Sequence, residues 1–162
     1  MKQPFDEDSA ELSIMLQWWR DLENDKGARA ELRRCTSPEA VMLHPAYARM
    51  HYRLASSLSG QWNWEYRLAA VAGLLAHVRK PTKKFLAEEM GGRKPVVSEL
   101  RFRRLLQCKP DELYGRMIRV LRMLDNTANT QDLIRSVFHW NDRVRKRWAL
   151  KYFANLPTQE TA

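Results

Sequence analysis

The residues in this chain whose type and spacing most invite chemistry are its arginines. Arg116, Arg119 and Arg122 recur at steps of three. Arg143, Arg147 and Lys151 recur at steps of four, with Arg145 and Lys146 between them, and Arg101 and Arg104 stand one turn apart beside Arg103. On a helix, residues three and four apart share a face, so each set forms a row of cations. A guanidinium fork binds phosphate through two parallel hydrogen bonds, which lysine cannot do. Along a row of three the charges span about 9 to 12 Å by the helical rise, enough to follow one or two phosphates of a strand. We take these rows to lack neutralising acids one turn upstream, so that helix ion pairing does not account for them. Arg29, Arg33 and Arg34 form a smaller group, partly balanced by Glu31, and Lys80, Lys83, Lys84, Arg93 and Lys94 gather in the middle of the chain.

The charge is unevenly placed. Residues 1–78 carry 9 Lys and Arg against 10 Asp and Glu, a net of −1; residues 79–162 carry 19 against 9, a net of +10. One-sided positive charge points to a polyanionic partner. Catalytic signatures are missing. His44, His51, His77 and His139 are scattered and form no HExxH; no GxxxxGK[ST], GxGxxG or GxSxG occurs. Glu88 and Glu89 are adjacent, so on a helix they point to different faces and make a poor acid–base pair. Cys35 and Cys108 lack the spacing of a zinc site and are too few for a disulfide framework. They read as small core hydrophobes in a reducing cytoplasm. These features imply no enzyme, no metal and no cofactor. The polar start and the lack of a long apolar run imply no signal peptide and no membrane association.

The elements that must position the arginines read as helices throughout. Asp8-Ser9-Ala10-Glu11 reads as a capping box before a helix burying Leu12, Met15, Leu16, Trp19 and Leu22. Short helices follow over 28–34 and from Pro38, and a longer one runs from Pro45 to about Leu58. Trp64, Leu68, Val71, Leu75 and Val78 mark one face of a core helix. Pro81, Gly91, Gly92 and Pro95 interrupt residues 79–96 around a short helix at 85–90. Helices over 98–107, 110–124 and from Thr130 to about Ala154, with a break near Asn141-Asp142, complete the chain. No segment alternates with period two, so no strand is expected. The expected class is all-α: two small helical-bundle lobes packed together, an N-terminal lobe at 1–78 and a basic C-terminal lobe at 97–156. A basic linker at 79–96 joins them and a disordered tail follows at 157–162.

Four stretches, in this order, resemble the CasB family, the small subunit of the type I-E CRISPR surveillance complex (Cascade). They are the N-terminal tryptophan helix followed by Ala30-Glu31-Leu32-Arg33-Arg34; Ser37-Pro38-Glu39 with Pro45-Ala46-Tyr47; Ser98 through Leu106; and the run from Leu133 through Arg135, Trp140 and Arg143 to Phe153. The resemblance implies a two-lobed, non-catalytic helical protein that pairs with a second copy. It implies that the basic surface holds guide RNA, target DNA and the displaced strand alongside other subunits of the complex. Arg34, Arg101, Arg122 and Arg143 match the family's basic positions, and Arg67 matches less closely. The expected contact set is Arg33, Arg34, Arg101, Arg104, Arg116, Arg119, Arg122, Arg143, Arg145, Arg147 and Lys151. Two other readings stand beside it. Ala87, Gly91 and Val97 have the spacing of a helix-turn-helix with 98–107 as its reading helix, and a helical adaptor for an acidic protein would also use a basic half.

Overall fold

The structure, a computed structural model, describes residues 3–154; the tail expected to be disordered lies outside the described residues. Ten helices follow one another among those residues: α1 (Ala10–Leu22), α2 (Lys26–Arg34), α3 (Pro38–Met42), α4 (Pro45–Leu58), α5 (Trp64–Leu75), α6 (Leu86–Met90), α7 (Glu99–Gln107), α8 (Pro110–Met123), α9 (Thr130–Phe138) and α10 (Asp142–Ala154). The all-α class holds. Contrary to expectation there is also a minimal sheet: β1 (Lys80–Pro81) pairs in parallel with β2 (Thr127–Ala128). Two residues per strand are too short to leave an alternating pattern, so the sequence carries no trace of it.

The helix starts follow from side chains that satisfy the free N–H groups of a first turn. Ser37 Oγ accepts from the Ala40 N–H at 3.2 Å, Ser98 Oγ accepts from the Arg101 N–H at 3.3 Å, and Asn129 Oδ1 accepts from the Asp132 N–H at 3.0 Å. The first cap is Ser9, whose Oγ accepts from the Leu12 N–H at 3.1 Å. The expected Asp8–Glu11 box does not form, because Asp8 lies outside the helix at φ 63°. The last stretch breaks at His139 to Asn141, as read from the sequence.

Helix α5 is the axle of the molecule. Every residue from Leu68 to Leu75 is buried, and the helix packs on α2, α3, α4, α8 and α9. It is therefore apolar all round, not on the single face expected, which is the signature of a helix enclosed by others. Gly73 lets α8 approach: a Cβ there would stand 2.2 Å from the Tyr114 hydroxyl, which donates to the Cys35 carbonyl at 3.2 Å. Buried residues from both sides of the 79–96 segment belong to one hydrophobic cluster. Several polar groups inside it are paired, most of them across elements. Asp132 accepts from the Leu86 N–H at 2.8 Å and from the Ser136 hydroxyl at 2.9 Å. Trp148 Nε1 donates to Ser136, and the Tyr152 hydroxyl donates to the Val97 carbonyl at 2.6 Å. Trp19 and Trp18 likewise donate to the carbonyls of Val78 and Ala46, so both are packing residues. Among the described residues no helix is long and apolar enough to cross a membrane.

Candidate nucleic-acid interface

Helices α7 and α8 follow one another in the chain and bury Phe102 and Leu105, and Leu113, Met117, Val120 and Leu121, respectively. Burying those faces turns the arginine rows outward. Between the helices opens a cleft of about 260 Å³, lined by Arg101, Arg104, Arg116 and Arg119 over Val97, Leu105, Val120 and Met123. Four guanidinium groups from two elements thus converge on one opening. No acid lines it, although Glu112 pairs with Arg116 from one turn below at 3.7 Å. The expectation that the rows lack acids one turn upstream fails at this position and at Arg103, which pairs with Glu99 at 2.9 Å. Both pairs are exposed i,i+4 contacts of the kind worth only a few tenths of a kcal/mol.

Arg122 continues the α8 row into the last turn of that helix. Its charge acts on buried His77, as do the charges of Arg33 and Arg29. Burial first, and these three cations next, push the His77 imidazole down to about 4. His77 is thus the packed histidine expected from its position. Arg33 is half-buried beside it and Arg34 is exposed. Arg143 and Arg147 are placed elsewhere: with Arg135 they line a separate cleft of about 440 Å³ that also holds Asp6. Arg145 and Lys151 turn to internal partners. Arg145 pairs with Asp142 at 3.1 Å and stacks over Trp140 at 5.4 Å. Lys151 sits 4.6 Å over the Phe85 ring and 4.0 Å from Glu88, fastening α10 to α6. Arg67 is committed in the same way, to the carbonyls of Phe138 and Trp62 at 2.7 Å each and to the Phe138 ring.

The remaining chemistry is structural. Among the described residues no three His, Cys, Asp or Glu side chains are placed to hold a metal. Cys35 and Cys108 are unpaired thiols, and burial pushes Cys108 up to about 11, which keeps it protonated and unreactive. His44 bonds Glu31 at 2.6 Å, and His139 donates to the Pro4 carbonyl at 2.7 Å, pinning the N-terminal segment.

The family model of the CRISPR-associated protein Cse2 matches residues 28–153, most of the chain. The chain belongs to the Cse2 family. That family is a non-catalytic structural subunit of Cascade. Solved structures agree on the fold. A chain of the Escherichia coli Cascade bound to a PAM-containing double-stranded DNA target is similar with a TM-score of 0.63 at 19% identity, over 89% of this chain and 94% of that one. CasB from Thermus thermophilus is similar with a TM-score of 0.65 at 20% identity, over 86% of this chain and 96% of that one. No sequence among the curated proteins matches.

Two further cations, Lys26 and Arg79, line a cleft with Arg29 and Arg33 and lie outside the expected contact set. Lys26 opens α2 and, with Arg29 and Arg33 at i+3 and i+7, shares a face with them. That spacing was legible. Arg79 was not: it stands next to α2 only because α5 ends beside that helix.

Proposed function

We propose that this Cse2-family chain holds guide RNA, target DNA and the displaced strand within an RNA-guided CRISPR surveillance complex of the cytoplasm. It works beside the other subunits and a second copy of itself. The observation that carries this reading is the α7–α8 cleft, where Arg101, Arg104, Arg116 and Arg119 converge from two helices. Arg122, Arg33 and Arg34 extend the surface toward α2, and Arg143 and Arg147 offer a second basic cleft. Arg145 and Lys151 contribute charge from positions fixed by packing. Such contacts grip phosphates and fix register without reading bases, so binding has little sequence preference and falls steeply with salt.

Purification of the tagged chain from its host tests the reading. Other CRISPR subunits and a uniform small RNA are the expected co-purifying species; their absence under mild salt defeats it. The helix-turn-helix reading loses its geometry. Eight residues separate Met90 from Glu99, and α6 has only five, whereas that motif joins its helices by a turn of about three to four. An adaptor that binds only protein would show no nucleic-acid affinity at moderate salt.

A further inference from the structure

We propose that the cleft walled by Lys26, Arg29, Arg33 and Arg79 is a second, separate anion site that holds one phosphate of a nucleic-acid strand that also occupies the α7–α8 cleft. It rests on the nucleic-acid reading above. The cleft measures about 370 Å³, and its walls are those four cations and Ala30, with no acid. Lys26, Arg29 and Arg33 project from one face of α2, and Arg79 closes the opposite side just beyond α5.

One of the cations is fixed in advance, and the backbone beneath a second is anchored. Arg29 donates from Nε to the Ala76 carbonyl at 3.2 Å and from Nη2 to the Val78 carbonyl at 2.7 Å, the latter shared with Trp19 Nε1. The backbone N–H of Arg79 donates to the Asn126 carbonyl at 2.8 Å, which ties this residue to the loop after α8. A guanidinium already held loses little freedom when an oxyanion docks. Behind the cations the polar inventory is incomplete. His77 is 2% exposed, and its Nε2 has no hydrogen-bond partner among the described residues; the Nε of Arg33 is likewise buried and unbonded.

The charges also oppose one another. Arg79 and Arg33 both act against Arg29, with Glu23 the acid that offsets them, and Arg122, Arg33 and Arg29 all act on His77. A solvated face spreads like charges apart. Here arginines from two elements are gathered instead, a cost that a docked anion reverses. The paired donors of a guanidinium fit a tetrahedral oxyanion such as a phosphodiester or inorganic phosphate. The second basic cleft, between α7 and α8, offers further phosphates of the same polyanion a place to dock, which favours a strand over a free ion.

The test uses the full chain, wild type and the double variant Lys26→Gln/Arg79→Gln, both positions being exposed. Melting is compared in phosphate and in chloride at equal ionic strength. Histidine ring signals are followed by NMR, and anisotropy with a labelled single-stranded oligonucleotide is read over a salt series. Wild type is expected to melt higher in phosphate than in chloride, and its His77 signals to titrate at higher pH, because an anion offsets the three neighbouring cations. The double variant is expected to lose both effects, to melt in chloride no lower than wild type, and to lower the salt slope by about one unit. An equal phosphate effect in both proteins, or unmoved His77 signals, overturns the site. A lost phosphate effect with an unchanged salt slope overturns the strand as its ligand and leaves free phosphate. Arg104→Gln/Arg119→Gln separates the two readings. That variant is expected to lose oligonucleotide affinity and keep the phosphate effect. If it keeps full affinity, the α7–α8 interface fails while this site stands.

Discussion

Arg104 and Arg119 are exposed, face one cleft from different helices, and form no ion pair among the described residues. Their charge is therefore available to a phosphate. Replacing either with Ala is expected to weaken binding similarly across sequences and to flatten the salt slope by about one unit. Melting should shift little, since exposed substitutions usually stay within about 0.5 kcal/mol. Lys151 serves as the contrast. Lys151→Ala removes its cation–ring contact with Phe85 and its approach to Glu88, so melting should fall, while the salt slope should drop by less than it does at Arg104 or Arg119. His77 makes a different prediction. Its imidazole sits at about 4 in the folded protein against about 6.5 unfolded. Above pH 6.5 it is neutral in both states and contributes no pH dependence. As pH falls from 6.5 toward 4 the unfolded chain takes up the proton first, so stability drops, by up to about 3 kcal/mol at full shift. A pH series of denaturant midpoints should show this fall, and His77→Leu should flatten it; an unchanged series in the variant would assign the drop to other groups.

At the scale of elements, α5 shows how far local pattern reaches. Its existence was legible in Trp64, Leu68, Val71 and Leu75, and the helix starts were legible in Ser37-Pro38, Ser98 and Pro110. Its all-round burial was not, because the Ala-Gly-Leu run between those positions reads as neutral until α3, α8 and α9 close on it. Gly73 makes this concrete. It is an ordinary weak helix residue by propensity, yet it marks where the Tyr114 ring lies against the α5 backbone. Gly73→Ala is expected to destabilise by roughly 1 to 3 kcal/mol through overpacking, although alanine is the better helix former. Adding Tyr114→Leu should recover part of that loss, and a double-mutant cycle by chemical denaturation measures the coupling. Simple additivity would show that the two helices do not meet there.

At the scale of the molecule, the basic residues were legible one by one and their grouping was not. Glu99 and Glu112 stand four residues before Arg103 and Arg116 in the sequence, so those pairs were readable. The gathering of Arg101, Arg104, Arg116 and Arg119, and the separation of Arg143 and Arg147, depend on how α7, α8 and α10 pack. In an assembled complex, charge reversal at Arg101, Arg104 and Arg119 together is expected to impair R-loop formation more than subunit assembly. The yield of displaced strand over a salt series checks this, and an unchanged yield would reduce these arginines to a solvated face. The short parallel pairing of Lys80–Pro81 with Thr127–Ala128 has a consequence of another kind. Together with α5 on α9 and α6 on α10, it joins residues from both sides of the exposed Arg93-Lys94 pair. A tryptic cut there would sever the chain without parting the fold: the pieces 1–93 and 94–162 should run as one particle on a sizing column and as two bands after denaturation. Expressed separately, they should reconstitute by complementation, so this surface pair is the natural place to split the protein into a two-part reporter of its own assembly.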